Sequence, residues 1–140
     1  MQIGVEAARA VDNKRVFIVD TDEISRMAAA FMLHDENETH ELAGLKAAFD
    51  KASEWKPDLL VLGEALVNAE GKDIFARCAQ TIPGVKTLLL AEQGKEEFAQ
   101  ACREAGADGV VLKPLTVEKL RDRVDALLGR KRRPIAIQAA

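Results

Sequence analysis

Pro57-Asp58-Leu59-Leu60-Val61-Leu62-Gly63 is the stretch whose reading decides the fold. Leu59–Leu62 is four apolar residues with no polar alternate, which describes a strand buried on both faces. Pro57 bars the preceding helix from continuing, because the residue before a proline is pushed out of the helical region. A strand covered on both sides needs helices above and below it. The sequence around it should therefore alternate between strand and helix periods.

It does so in both directions. Towards the N-terminus, Val16–Val19 is a short run rich in β-branched residues that stops at Asp20-Thr21-Asp22. Ile24, Met27, Ala28 and Phe31 then recur at helical spacing. Thr39–Leu42 reads as a short strand, and Leu45, Ala48, Phe49 and Ala52 as a second helix. Towards the C-terminus, Gly63–Gly71 reads as a loop of small and polar residues, followed by a helix with Ile74, Phe75 and Cys78. Pro83-Gly84 marks a turn and Val85–Ala91 a strand. Phe98, Ala101, Cys102 and Ala105 mark a helix that Gly106 closes. Gly109–Leu112 is the last strand, ended by Lys113-Pro114. Thr116 caps a final helix bearing Val117, Leu120, Val124 and Leu127, which Gly129 closes. Five strands alternating with five helices give an α/β class: a doubly wound, five-stranded parallel sheet between two helical layers. Right-handed crossovers favour the order 2-1-3-4-5.

At 140 residues the chain has the size of one domain with one core. Residues 14–129 form that domain, residues 1–13 an N-terminal extension, and residues 130–140 a tail or linker that opens Arg130-Lys131-Arg132-Arg133. Hydrophobic residues make up 48% and the net charge is −3, which speaks against a nucleic-acid surface on the globular part. No apolar run approaches bilayer length and the N-terminus does not read as a signal peptide, so the expectation is a cytoplasmic protein without membrane insertion. Cys78 and Cys102 have no metal spacing and fall on apolar helical stripes, as buried thiols do.

In an open α/β sheet the site lies beyond the carboxyl ends of the strands. The residues to read are Asp20, Thr21 and Asp22, then Gly63 and Glu64, then Leu90 and Ala91, then Lys113 and Pro114. At these positions the chain resembles the receiver domains of bacterial two-component response regulators, which have a CheY-like, flavodoxin-type sandwich. Val19-Asp20-Thr21-Asp22-Glu23 resembles their acidic first loop, and Pro57–Leu62 the approach to their phosphoacceptor. Gly106-Ala107-Asp108-Gly109 and Lys113-Pro114 resemble the turn into their fifth strand and its ending. The resemblance runs from about Lys14 to Leu128.

The resemblance also implies what is missing. Receivers carry an acidic pair after the first strand; here it is Asp20 and Thr21, with Asp22 one place on. Their phosphoacceptor aspartate corresponds to Gly63, and the small hydroxyl residue that senses phosphate to Leu90, with Ala91 kept. The lysine that holds the phosphoryl group corresponds to Lys113. The aromatic switch corresponds to Val110. Phosphoryl transfer needs a carboxylate nucleophile and a cation that neutralises the transferred charge. Gly63 supplies no nucleophile, and magnesium binding is expected to be weak or lost. No other cofactor and no enzymatic activity are expected.

Other readings compete residue by residue. Asp20 and Asp22 form a weak metal site, or Asp20 pairs with Lys113 while Asp22 caps the first helix; the second is preferred. Glu64 replaces the missing nucleophile, or points away from the pocket if the strand alternation persists. His34 and His40 read as surface histidines, Trp55 as packing beside Pro57, and Arg130–Arg133 as a solvated tail. The expectation is a receiver-like signalling module that acts through protein contacts without phosphorylation. Its surface would be the last helix and fifth-strand face, with Lys119, Arg121, Asp122, Arg123 and Asp125, suited to a partner or a twofold homodimer. The alternatives are a phosphorylatable regulator with Glu64 or Asp20 as acceptor, and a sensor holding a small anion on Lys113.

Overall fold

The computed structural model describes residues 14–130; the expected N-terminal extension and most of the basic tail lie outside the described residues. Five strands form one parallel sheet: β1 (Arg15–Val19), β2 (Glu38–Leu42), β3 (Leu59–Gly63), β4 (Lys86–Ala91) and β5 (Gly109–Leu112). Their order is β2-β1-β3-β4-β5, as the alternation of periods implies. The register pairs Val19 with Leu62, and Gly63 with Leu90, so the ends of the three central strands lie level.

Six helices are described, one more than the sequence pattern suggests: α1 (Glu23–Leu33), α2 (Leu45–Ala52), α3 (Glu64–Glu70), α4 (Ile74–Thr81), α5 (Glu96–Glu104) and α6 (Val117–Leu128). The additional one, α3, replaces the expected loop after β3. Its residues are mostly good helix formers, and Leu66 and Val67 give it a buried face. Gly71, with φ of 94°, ends it in a conformation that favours glycine.

Strand alternation divides the core in two. Phe17, Val19, Leu60, Leu62, Leu89 and Val110 face α2, α3, α4 and α5. Val16, Ile18, Leu59, Val61, Leu88 and Val111 face α1 and α6. All five residues of β3 are buried. Cys78 and Cys102 are free, buried thiols on the first of these faces, and burial pushes Cys78 up to about 11.

Local signals fix the helix ends. The Asp22 carboxylate accepts from Ile24 and Ser25 N–H at 3.0 and 3.3 Å and caps α1. Thr116 Oγ1 accepts from Lys119 N–H at 3.1 Å and caps α6, which Gly129 closes at φ of 75°. Trp55 is half exposed, with the Arg15 guanidinium 5.2 Å from its ring centre.

Leu60 is fully buried at the centre of the sheet. Leu60→Ala should lower stability by about 2–5 kcal/mol, through lost transfer energy and the cavity left behind. A shift of the urea midpoint with an unchanged denaturant slope is the expected reading.

Candidate functional site

The carboxyl ends of the strands surround a cavity of about 150 Å³ lined by Asp20, Asp22, Ser25, Glu64, Ala65, Asn68, Glu92 and Lys113. β1 delivers Asp20 and Asp22, the start of α1 Ser25, the β3–α3 junction Glu64, and the ends of β4 and β5 deliver Glu92 and Lys113. Four acids therefore share the cavity with one lysine.

Asp20 is the most deeply placed of the acids, 4% exposed. Its Oδ1 accepts from Asp22 N–H at 3.0 Å. The carboxylate lies against Gly63: a Cβ built on that glycine would overlap Asp20 Oδ2, Cγ and Oδ1. The bare backbone of residue 63 thus makes the room that Asp20 fills. Burial raises the Asp20 pKa and the neighbouring Asp22 charge adds to this; the Asp22 N–H, Lys113 and Arg26 oppose it.

Lys113 does not pair with Asp20, contrary to the expectation from the sequence. Its ammonium donates to Ser25 Oγ at 2.7 Å and to Glu92 Oε2 at 2.8 Å, and acts on Asp20 only at longer range. Glu92 is further out than Asp20 and remains partly solvated, so forming this pair costs less desolvation than one on the buried aspartate. Glu64 also departs from expectation. The chain turns helical at this residue, so strand alternation stops and the side chain enters the cavity. Its Oε1 accepts from Glu92 N–H at 2.8 Å, and its Oε2 lies 3.6 Å from Lys95 Nζ.

The remaining residues separate. Thr21 is exposed and does not line the cavity. Leu90 is packed in the core under α1 and α6, and Ala91 in the opposite core. Val110 is buried, 4% exposed, under α5. Ser25 and Glu92 went unread in the sequence. Glu92 directly follows Ala91 at the end of β4, and that position was the signal for it; for Ser25, one turn into α1, there was none. His34 Nδ1 donates to Phe31 O (2.8 Å), and the residue is exposed. His40 is half-buried rather than a plain surface residue, 2.7 Å from Glu38 Oε2 and edge-on to Phe17.

The donor set does not fit a divalent cation. Asp22 is committed to the N-terminus of α1, Glu64 to Glu92 N–H, and Glu92 to Lys113. Among the described residues no group of three or more acid, histidine or cysteine side chains is arranged so that it could hold a metal ion.

The family model for the response regulator receiver domain matches residues 16–125. The chain belongs to that family. Among curated relatives, response regulator protein VraR of Staphylococcus aureus is 26% identical over 113 residues, covering 79% of this chain and 54% of VraR. The chain thus spans about half the length of the curated relatives it matches. Among solved structures, a Chloroflexus aurantiacus chain described as a response regulator is 26% identical with a TM-score of 0.76, covering 84% of this chain and 99% of that one. NtrX of Brucella abortus is similar in fold, with a TM-score of 0.76 at 21% identity, over 84% of this receiver and 27% of NtrX. Among the described residues no helix is long and apolar enough to cross a membrane.

Two consequences can be measured. Asp20 has a folded-state pKa above its unfolded value, so the native receiver binds its proton more tightly than the unfolded chain does. Its contribution to stability therefore declines as pH rises from about 4 through the folded pKa. Asp20→Asn should remove that decline and equal or exceed the wild type at neutral pH, read from urea midpoints across the range. A double-mutant cycle on Lys113 and Glu92 should give a coupling of about 0.5 kcal/mol, as for a partly exposed pair. The Lys113–Asp20 cycle should give less.

Proposed function

We propose that this receiver domain signals without aspartyl phosphorylation, through protein–protein contact. The observation that carries the reading is Gly63. It stands at the end of β3, where the resemblance places the phosphoacceptor aspartate, and the space beside it holds the Asp20 carboxylate. A phosphoryl group would need a nucleophile, a cation and a free lysine. Residue 63 has no side chain, the acids are engaged with backbone N–H groups or with Lys113, and Lys113 is held by Ser25 and Glu92. Leu90 offers no hydroxyl, and Val110 has no ring to swing. Magnesium binding is correspondingly weak or lost in this reading, and the domain is a module rather than an enzyme.

The contact surface is the β5 and α6 face. Lys119, Asp122 and Arg123 lie on the outward side of α6. Arg121 and Asp125, which the sequence grouped with them, are turned towards the fold. Arg121 donates to Met32 O and lies 3.5 Å from Asp35, and Asp125 is buried against Arg130 at 2.8 Å. The reason is helical spacing: residues 119, 122, 123 and 126 share one face, while 121 and 125 share another. The proposed surface is the first set, open to a signalling partner, an output domain or a second copy in a twofold dimer. We assign residues 14–129 to the receiver unit, residues 130–140 to a basic tail or linker, and the protein to the cytoplasm.

Glu64 gives the non-standard acceptor its one geometric support, because it lines the cavity. Its oxygens are held by Glu92 N–H and Lys95. An anion held on Lys113 is disfavoured by the four acids around it.

Incubation with acetyl phosphate and magnesium should leave the intact mass unchanged. A stoichiometric phosphoryl gain mapped to Glu64, Asp20 or any other carboxylate would sink the proposal. Gly63→Asp alone should not restore phosphorylation, because the new side chain meets Asp20 and because Thr21 and Leu90 remain.

A further inference from the structure

We propose that the chain's own C-terminal segment, Pro134-Ile135-Ala136-Ile137, folds back over the outer face of α1 and covers its exposed apolar side chains. Ile24, Met27 and Phe31 share one face of α1, because they recur at helical spacing. That face is turned to solvent: Ile24 is 81% exposed, Met27 53% and Phe31 74%. The core uses a different side of the helix, Ala29, Ala30 and Leu33. The stripe that makes α1 legible in the sequence is therefore not the one the fold buries. A groove of about 410 Å³ runs between this face and β2, the edge strand, lined by Met27, Ala30, Phe31, His34, Thr39 and Glu41. Its one acid, Glu41, is paired with Arg26, so the groove offers mainly apolar surface. Three large apolar groups that adjoin on one exposed face mark a contact rather than scattered surface residues.

The path of the chain selects the occupant. Arg130, the last described residue, reaches from the end of α6 to the loop between α1 and β2. Its guanidinium donates to Glu36 O at 3.1 Å and to Asn37 Oδ1 at 2.8 Å. The next residues, Lys131, Arg132 and Arg133, therefore start beside the C-terminal end of α1. That end carries Asp35 and has no basic residue in its last turn, and a helix C-terminus attracts cations. The whole chain carries −3 with these three cations included, so the rest of it is more acidic than the total and draws them in. Pro134 then favours extended backbone at Arg133 and itself. In an extended segment Ile135 and Ile137 fall on one side, about 7 Å apart. Met27 and Phe31 are one turn apart, about 6 Å along the helix axis. Ile135 beside Phe31 and Ile137 beside Met27 is the matching register. Five residues from Arg130 to Ile135 extend to about 16 Å, more than the single turn from the end of α1 back to Phe31 needs. A segment tethered this closely has an effective concentration on the order of millimolar, which a separate partner must exceed to displace it.

The test uses the full chain and two measurements. Nuclear Overhauser contacts should join the Ile135 and Ile137 methyl groups to the Phe31 ring and the Met27 methyl group. In a sample mixed from labelled and unlabelled chains, these contacts should stay within one molecule. Trypsin should cut after Lys131 and Arg132 about tenfold more slowly in the wild type than in the Ile135→Ser, Ile137→Ser variant, because cleavage follows the open population. Phe31→Ser, at an exposed position, should speed the same cuts by a similar factor. Both variants should keep the wild-type thermal midpoint to within a few degrees, since neither touches the core. The proposal is overturned if the serine variants and the wild type are cut at equal rates, or if no contact joins residues 134–137 to α1. Contacts that cross between labelled and unlabelled chains overturn it in favour of a second copy. Contacts to Phe31 from Ile3, Val5 or Val11 overturn it in favour of the N-terminal residues. The result does not depend on how the domain signals: a phosphoryl gain removes the module reading and leaves the tail's position to these measurements.

Discussion

The structure depends on β3 being apolar from end to end. A strand with no polar side chain on either face must be roofed twice, and the two cores of this domain are that roof. β1 and β4 flank it and extend the same alternation. The helices follow from the need to cover both faces rather than from strong helix propensity of their own. Because parallel strands end level at one edge, the polar residues that terminate them meet at one place. The cavity with Asp20, Glu64, Glu92 and Lys113 is the result.

At that edge the absence of one side chain reorganises the rest. Gly63 leaves a space, and the Asp20 carboxylate occupies it with one hydrogen bond from Asp22 N–H and no salt bridge among the described residues. A buried carboxylate so placed has its pKa raised by desolvation. Lys113, which could have neutralised it, is drawn outwards to Glu92 and Ser25. Glu92 in turn is tied through its N–H to Glu64. The loops after β3, β4 and β5 are thus cross-linked by polar contacts in a single arrangement.

The β5 and α6 surface is shaped by helical spacing as much as by charge. The outward side of α6 lines a cleft beside β5 with Lys119 and Arg123. The inward side of the same helix spends Arg121 and Asp125 on α1 and Arg130. One helix therefore divides its charges between holding the fold and facing solvent.

Sequence alone determined the class of the fold, the strand order, both helix caps and the positions at the strand ends, because each depends on local period, a capping side chain or a turn residue. Val16–Val19 and Leu59–Leu62 could form nothing else once Asp20 and Pro57 bounded them. The helix after β3 was hidden because its apolar residues, Leu66 and Val67, are too few to show a period. Its formation rests on burial against the sheet. The partners of Lys113 and the direction of Glu64 were decided only by the tertiary structure. Those contacts join residues far apart in the chain, and which acid a lysine prefers is settled by relative burial, a quantity that exists only once the strands have paired.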